Sequence, residues 1–144
     1  MRLTLGYPPL ADEARMLNEQ TSEPPLDTLE PVSSTAEIVA LIDDAKRVYV
    51  EESVNRYVVA LLRHTRADER LYLGASPRAG IALLRVAKAR AISEGREYVL
   101  PDDVKAVAEP VLGHRLILGP EARAAGLGPA ELIADAVART PVPV

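Results

Sequence analysis

The hydrophobic positions of this chain recur mostly with the spacing of an α-helix. After residue 50, the apolar side chains stand at i, i+3, i+4, i+7 and i+8, namely at Val54, Tyr57, Val58, Leu61 and Leu62. Before it, the same period runs through Ile38, Leu41, Ile42, Ala45 and Tyr49. This spacing gathers apolar side chains on one helical face. The pattern Ser34 to Glu37 is typical of a capping box. The two segments are therefore predicted to form helices that pack as a hairpin, with their apolar faces in the core.

Further helices are predicted on both sides of this pair. One short helix runs from Leu10 to Asn18. A long alanine- and leucine-rich helix runs from Pro77 to Glu94, with Gly95 as its C-terminal stop. The next helix starts at Pro101, and Pro110 should kink or end it. The final helix covers Pro129 to Arg139.

Extended segments are short and few. Arg2 to Leu5 is typical of the end of a strand, and Arg70 to Leu73 and His114 to Leu118 could each form a short strand. Strands of this length do not sustain a sheet alone. The predicted fold class is mainly α, a small helical bundle with marginal short strands. Residues 21–33 are rich in proline and are predicted to form a stiff linker or ordered loop.

Composition narrows the possible functions. The 144 residues are 48% hydrophobic and include five Tyr but no Phe or Trp, so the core must be aliphatic. The net charge is −4, and no basic stripe is interleaved with aromatics, so nucleic acid is not an expected partner. The chain has no cysteine and no apolar run of about 20 residues, the length that spans a bilayer. A cytoplasmic location without a membrane span is expected.

Motifs for a complete catalytic site are missing from the sequence. There is no GxxxxGK[ST] phosphate loop, no GxSxG and no HExxH. His64 and His114 are isolated, which favours solvated or capping roles over metal binding. Asp102 and Asp103 follow a proline at a helix start, where acids usually complement the helix dipole rather than bind a metal. No metal site is predicted.

The start of the long helix contains a local conflict. Ser76 is a good N-cap, and Pro77 suits the first helical position. Arg78 then lies where the helix dipole is positive, which is unfavourable for a cation unless an anion is nearby. That anion could be a bound phosphate. Alternatively, Arg78 is solvated or pairs with an acid such as Glu69.

Several motifs, in order, resemble the lid region of MoxR-family AAA+ ATPases. They lie at Gly74 to Ala79, Ala82 to Ala91, Gly95 to Val104 and Ala108 to Leu116, and Tyr57 to Arg66 also fits. Arg2 to Pro8 resembles the segment in which these ATPases leave the nucleotide-binding core for the lid. The resemblance covers Arg2 to about Leu118, and the tail from Gly119 matches only loosely. It implies a connecting segment at 1–20, a linker at 21–33, a lid domain at 34–118 and a C-terminal turn and helix at 119–144.

The resemblance also implies roles for individual residues. Arg78 occupies the position of sensor 2, the lid arginine that reaches the γ-phosphate of ATP. Tyr7 and Pro8 are candidates for packing on the adenine, with Pro77 closing from the lid side. Tyr7 is equally well explained as an ordinary aromatic at a strand end. The implied cofactors are ATP and Mg²⁺, held jointly with a core that this sequence lacks.

Two functions from different classes follow. The first is the lid of a MoxR-type AAA+ ATPase, which would contact its own core and neighbouring subunits in a ring, usually a hexamer. Such rings act as chaperones, and many of their partners carry von Willebrand factor A domains. The chain alone is not expected to hydrolyse ATP. The second is a stand-alone helical interaction module, an adaptor or regulator with no nucleotide role.

Overall fold

The computed structural model describes residues 1–19 and 25–142. The chain divides into two compact units, one of Met1–Arg2 with Leu41–Val144 and one of Leu3–Ala40. We call them the large and the small unit. The predicted linker at 21–33 lies partly outside the described residues, since 20–24 are not among them.

The small unit contains α1 (Leu10–Glu19), a 3-10 helix (Pro25–Thr28) and the first part of α2 (Thr35–Arg47). α1 confirms the predicted short helix, and Asp12 and Glu13 lie in its first turn. The strand predicted at Arg2 to Leu5 is wrong, because residues 1–9 have no regular secondary structure. A strand needs hydrogen bonds to a neighbouring strand. In residues 1–9 only the Arg2 amide donates to a described backbone acceptor, the Pro110 carbonyl at 2.7 Å, and both of these residues belong to the large unit.

The start of α2 is the capping box that the sequence predicts. The Ser34 amide donates to Glu37 Oε2 at 2.7 Å, and the Glu37 amide donates to Ser34 Oγ at 3.2 Å. The pKa of Glu37 is lowered most by the bond from the Ser34 amide, and further by bonds from the Ser34 and Ser33 hydroxyls to its carboxylate. Two amides of the first turn are thus satisfied within four residues.

The predicted burial of the apolar face of α2 is wrong. The large apolar side chains of this face keep 47–57% of their surface exposed, namely Ile38, Leu41 and Ile42, and α2 buries no residue. Tyr49 is 60% exposed and bridges Tyr98 through its backbone. α2 therefore does not pack with α3 as a hairpin in the core. The periodicity of a sequence indicates that a helix has an apolar face, but it does not indicate what covers that face.

The core of the large unit is built by four helices. They are α3 (Glu52–Ala67), α4 (Pro77–Ser93), α5 (Pro101–Leu112) and α7 (Pro129–Arg139). α4 lies along α5, and α3 packs against α4, α5 and α7. All five predicted apolar positions of α3 are buried. Side chains with no exposed surface come from three of these helices, for example Leu61, Leu83 and Leu112. As expected from the composition, the core is aliphatic.

Two short strands, a 3-10 helix and one short α-helix connect the main helices of the large unit. β1 (Leu71–Leu73) pairs antiparallel with β2 (Ile117–Leu118). The strand predicted at His114 to Leu118 is thus partly wrong, since a 3-10 helix covers Gly113–Arg115. Pro110 does not end α5, which continues to Leu112. A short helix, α6 (Pro120–Ala124), was not predicted.

α4 ends as Gly95 predicts. Gly95 has φ +72°, and its amide donates to the Ile92 carbonyl at 2.9 Å. The Arg96 amide donates to the Ala91 carbonyl, also at 2.9 Å. This pair of bonds is a Schellman motif, which requires a left-handed residue just after the helix. The four helices α3, α4, α5 and α7 confirm the predicted fold class, which is mainly α.

Candidate functional site

The start of α4 has the geometry that the sequence predicts. Ser76 has an extended backbone, and its Oγ accepts a hydrogen bond from the Ala79 amide at 3.3 Å. Pro77 is the first helical residue. The dipole of this 17-residue helix therefore begins next to Arg78.

Arg78 is exposed at this helix start. No acid lies in the first turn of α4, whereas α5 has Asp102 and Asp103 there. Among the residues that the structure describes, no hydrogen bond or ion pair engages the Arg78 side chain, so the pairing with Glu69 is not found. The solvated state and the phosphate contact stay open, and the guanidinium is accessible to an anion from outside this chain.

The backbone just before Ser76 is held by α3. The Ala75 amide donates to Thr65 Oγ1 at 3.0 Å, and Arg66 Nε donates to the Ala75 carbonyl at 2.6 Å. A Cβ on Gly74 would lie 2.6 Å from the Thr65 carbonyl oxygen and 2.7 Å from Arg66 Cα. Only glycine allows this contact, so the segment 74–75 lies directly on the last turn of α3.

The predictions missed Thr65 and Arg66, although one signal was available. Thr65 continues the apolar stripe of α3, four residues after Leu61, and is 1% exposed. A polar residue on an apolar stripe needs a hydrogen-bond partner when it is buried. The sequence does not show that this partner is Ala75.

Pro77 borders an apolar groove between α3 and α4. The groove has a volume of about 270 Å³, and its apolar lining is Val58, Val59, Leu62, Pro77, Gly80, Ile81 and Leu84. Pro77 itself is exposed. Pro77 and Arg78 are thus neighbouring exposed residues at one edge of the large unit.

Tyr7 and Pro8 belong to the small unit. Tyr7 is 97% exposed and lies in a segment without regular secondary structure, so it is not at a strand end. Its packing on adenine stays a prediction.

Asp103 is the buried partner of an ion pair with Arg96. Its side chain is 3% exposed and accepts two hydrogen bonds from Arg96, at 2.6 and 2.7 Å, and one from the Leu100 amide at 2.9 Å. Burial raises the pKa of Asp103, but the bonds from Arg96 and Leu100 outweigh it, so the pKa lies below its ordinary value of 3.8. The bond to the Leu100 amide caps α5, in agreement with the predicted role at the helix start. Asp102 is exposed and pairs with Lys105.

The histidines have separate surroundings. His64 Nδ1 lies 2.8 Å from Thr140 Oγ1, whose hydroxyl donates to the Ala136 carbonyl. Thr140 must therefore accept from a protonated Nδ1. His64 thus joins α3 to the residue that caps α7, while His114 is exposed in a 3-10 helix. Within residues 1–19 and 25–142, no cluster of three or more His, Cys, Asp or Glu could hold a metal ion.

Comparison with known proteins identifies the helical bundle as a lid domain. The family model described as the AAA lid domain matches residues 63–136, just over half of the chain. This match spans α4 and α5, including the start of α4, and reaches into α7.

Individual relatives indicate which kind of AAA protein the chain is similar to. The chain is 31% identical to Chaperone MoxR1 of Mycobacterium tuberculosis over 148 residues, which cover 96% of this chain and 38% of that protein. It is 53% identical to Protein MoxR of Paracoccus denitrificans over 72 residues, covering 49% of this chain and 21% of that protein. A solved structure described as a "putative ATPase" from Cytophaga hutchinsonii matches with a TM-score of 0.84 and 29% identity, over 100% of this chain and 46% of that one.

The chain therefore belongs to the AAA lid domain family and is a lid of the MoxR type. It spans less than half the length of the relatives it matches. Among the helices of the described residues, none combines the length and the apolar character needed to cross a bilayer.

Proposed function

We propose that this chain serves as the lid of a MoxR-type AAA+ ATPase and supplies Arg78 as its sensor-2 arginine. The single observation that supports this role is an accessible arginine in the first turn of α4 that pairs with no acid among the described residues. A phosphate there would interact favourably with both the guanidinium and the helix dipole.

The residues of the α4 start fit an anion. The first turn holds a cation and no carboxylate, so a γ-phosphate would meet no like charge on this helix. ATP, when bound, supplies the phosphoanhydride bond that water cleaves. Arg78 would stabilise the negative charge that develops on the phosphoryl oxygens. Such electrostatic stabilisation, together with positioning, is the main contribution of a protein to phosphoryl transfer. Tyr7 and Pro8 would contact the adenine, Pro77 would border it, and Mg²⁺ would be held by the nucleotide-binding core.

Arg78 would also couple nucleotide to motion. If the core holds ATP and the lid holds Arg78, the γ-phosphate draws the two domains together, and its loss on hydrolysis releases them. This is a domain-closure switch in which one ligand makes different contacts in two states. We propose that the ATPase forms a cytoplasmic ring, with six subunits as is usual in this family. Domain closure in one subunit would then act on its neighbours. The clients would be proteins remodelled by a chaperone-like ring, including those with von Willebrand factor A domains. The support is the name of the Mycobacterium tuberculosis relative, a chaperone.

The test is Arg78→Ala in the full-length ATPase that contains this lid. We expect turnover to fall by about 10²-fold or more, since removing one preorganised donor from a charged transition state costs that much. Arg85→Ala is the matched control, because Arg85 is exposed on the same helix outside its first turn. Unchanged turnover in Arg78→Ala would exclude the sensor-2 role.

A further inference from the structure

We propose that Thr65 and Arg66 are positioning residues for Arg78, because they fix the backbone from which α4 starts. This inference rests on the proposed function, since the position of Arg78 affects turnover only if Arg78 contacts the phosphate. Thr65 and Arg66 are consecutive residues at the end of α3, and both bind one residue, Ala75.

Ala75 has both of its backbone groups held by side chains. Its amide donates to Thr65 Oγ1 and its carbonyl accepts from Arg66 Nε, as measured above. Ala75 has no exposed surface, so water is not available to replace either partner. Losing one of these bonds would leave a buried polar group of Ala75 unpaired. The segment around Ala75 would then tend to move until that group finds another partner.

The Thr65 hydroxyl both donates and accepts a hydrogen bond in this arrangement. It donates to the Leu62 carbonyl at 2.7 Å while it accepts from the Ala75 amide. One hydroxyl group therefore joins the last turns of α3 to the residue that precedes the Ser76 cap. Serine at position 65 can form the same two bonds, whereas valine has nearly the same shape and can form neither.

The Arg66 bond has a different character. Its guanidinium donates to a neutral carbonyl, and it has no acid partner among the described residues. Arg66 is exposed, and its Nε is the atom that holds Ala75. Methionine extends the side chain as far as the position of Nε but removes this donor.

Arg78 lies three residues after Ala75, and the helix cap Ser76 lies between them. A shift of the Ala75 backbone would therefore tilt or unwind the first turn of α4 and displace the Arg78 guanidinium. A misplacement of about 1 Å can cost about 10²-fold in rate. The close contact of Gly74 with the backbone of Thr65 and Arg66 adds a steric part to the same attachment.

The experiment measures ATP turnover in the full-length ATPase with Thr65→Val and Arg66→Met. We expect kcat to fall about tenfold in each, within the range that misplaced catalytic groups show. Thr65→Ser should recover kcat to within about twofold of the unaltered protein, because the hydroxyl is restored. Arg63→Met is the control for Arg66→Met, since Arg63 is exposed on α3 and makes no hydrogen bond to residues 74–78.

A double-mutant cycle separates positioning from a merely structural role. If Arg66 acts through Arg78, Arg66→Met should lower turnover by less than about twofold when Arg78 is already alanine. A full tenfold loss in that background would overturn the inference, as would normal turnover in both Thr65→Val and Arg66→Met. If Arg78→Ala itself leaves turnover unchanged, the proposed function fails.

The attachment can also be tested without turnover. Amide hydrogen exchange of Ala75 in this 144-residue chain should accelerate at least about tenfold in Thr65→Val and return in Thr65→Ser, because the exchanging amide loses and regains its acceptor. Unchanged exchange in Thr65→Val would overturn the attachment itself, whatever the role of Arg78.

Discussion

Arg78 and Arg96 show how the same side chain serves two purposes in one small bundle. Arg96 makes a bidentate ion pair with buried Asp103 and so ties the end of α4 to the start of α5. Arg78 is exposed and has no such partner among the described residues. Bidentate pairing fixes a guanidinium geometrically, whereas an unpaired one can bind an incoming anion.

Replacing Arg96 should destabilise the chain strongly. Arg96→Met removes the bidentate partner of a carboxylate that is 3% exposed, so we expect a loss of about 2–4 kcal/mol in the free energy of unfolding. The control is Arg56→Met, which breaks an exposed pair with Glu52 and should cost less than about 1 kcal/mol. Urea unfolding measures both, and equal losses would contradict the role of Asp103.

At the scale of elements, α4 is limited at both ends by local signals. Ser76 and Pro77 start it, and Gly95 ends it in a left-handed conformation. These signals depend on hydrogen bonds between residues at most five apart, which is why the predicted range of α4 agrees with the structure to within one residue. The attachment of its start to Thr65, ten residues before Ala75, is not local in this sense.

The C-terminal signal of α4 gives a prediction at this scale. Gly95→Ala should cost about 1–2 kcal/mol, because a Cβ at φ +72° is strained although nothing else lies within 4 Å of it. Gly113→Ala is the control, since Gly113 has helical φ and ψ and its Cβ would meet only side-chain atoms at 3.4 Å or more. That variant should be neutral or stabilising by up to about 1 kcal/mol. Thermal unfolding distinguishes the two, and a neutral Gly95→Ala would contradict the Schellman ending.

For the whole molecule, two groups of ion-paired side chains link separate parts of the large unit, and one carboxylate of each carries part of its pH dependence. Asp103 joins α4 to α5 through Arg96. Asp68 accepts hydrogen bonds from Arg70, which also pairs with Asp135 on α7. The bonds from Arg70 lower the pKa of Asp68 below 3.8, as those from Arg96 and Leu100 lower that of Asp103.

These shifts predict acid sensitivity. A carboxylate whose pKa is lower in the folded than in the unfolded state stabilises the fold above the unfolded value, and this contribution is lost as the pH falls through the folded value. We therefore expect the free energy of unfolding to fall as the pH is lowered from about 4, since both carboxylates then begin to take up protons that the fold disfavours. Denaturant titrations at several pH values measure the slope. Asp103→Asn should flatten it, and Asp102→Asn, at an exposed site, should not. Equal slopes in all three proteins would show that Asp103 does not contribute.

The sequence by itself determined the mainly α fold class, the ranges of α1, α4 and α7, the capping box of α2 and the cap that places Arg78 in a first turn. Each depends on side-chain periodicity or on hydrogen bonds within a few residues. It also carried the resemblance to MoxR-type lids, because the motifs stand in order along the chain.

Only the tertiary structure decided which faces are covered and which polar groups meet. The apolar faces of α2 and α3 are equally regular in sequence, yet α3 is buried and α2 is exposed. Thr65 and Arg66 hold Ala75, and Arg96 holds Asp103, through contacts that helix packing and the loops create. Burial and pairing of this kind depend on the partner that the chain brings from elsewhere, which local pattern does not specify.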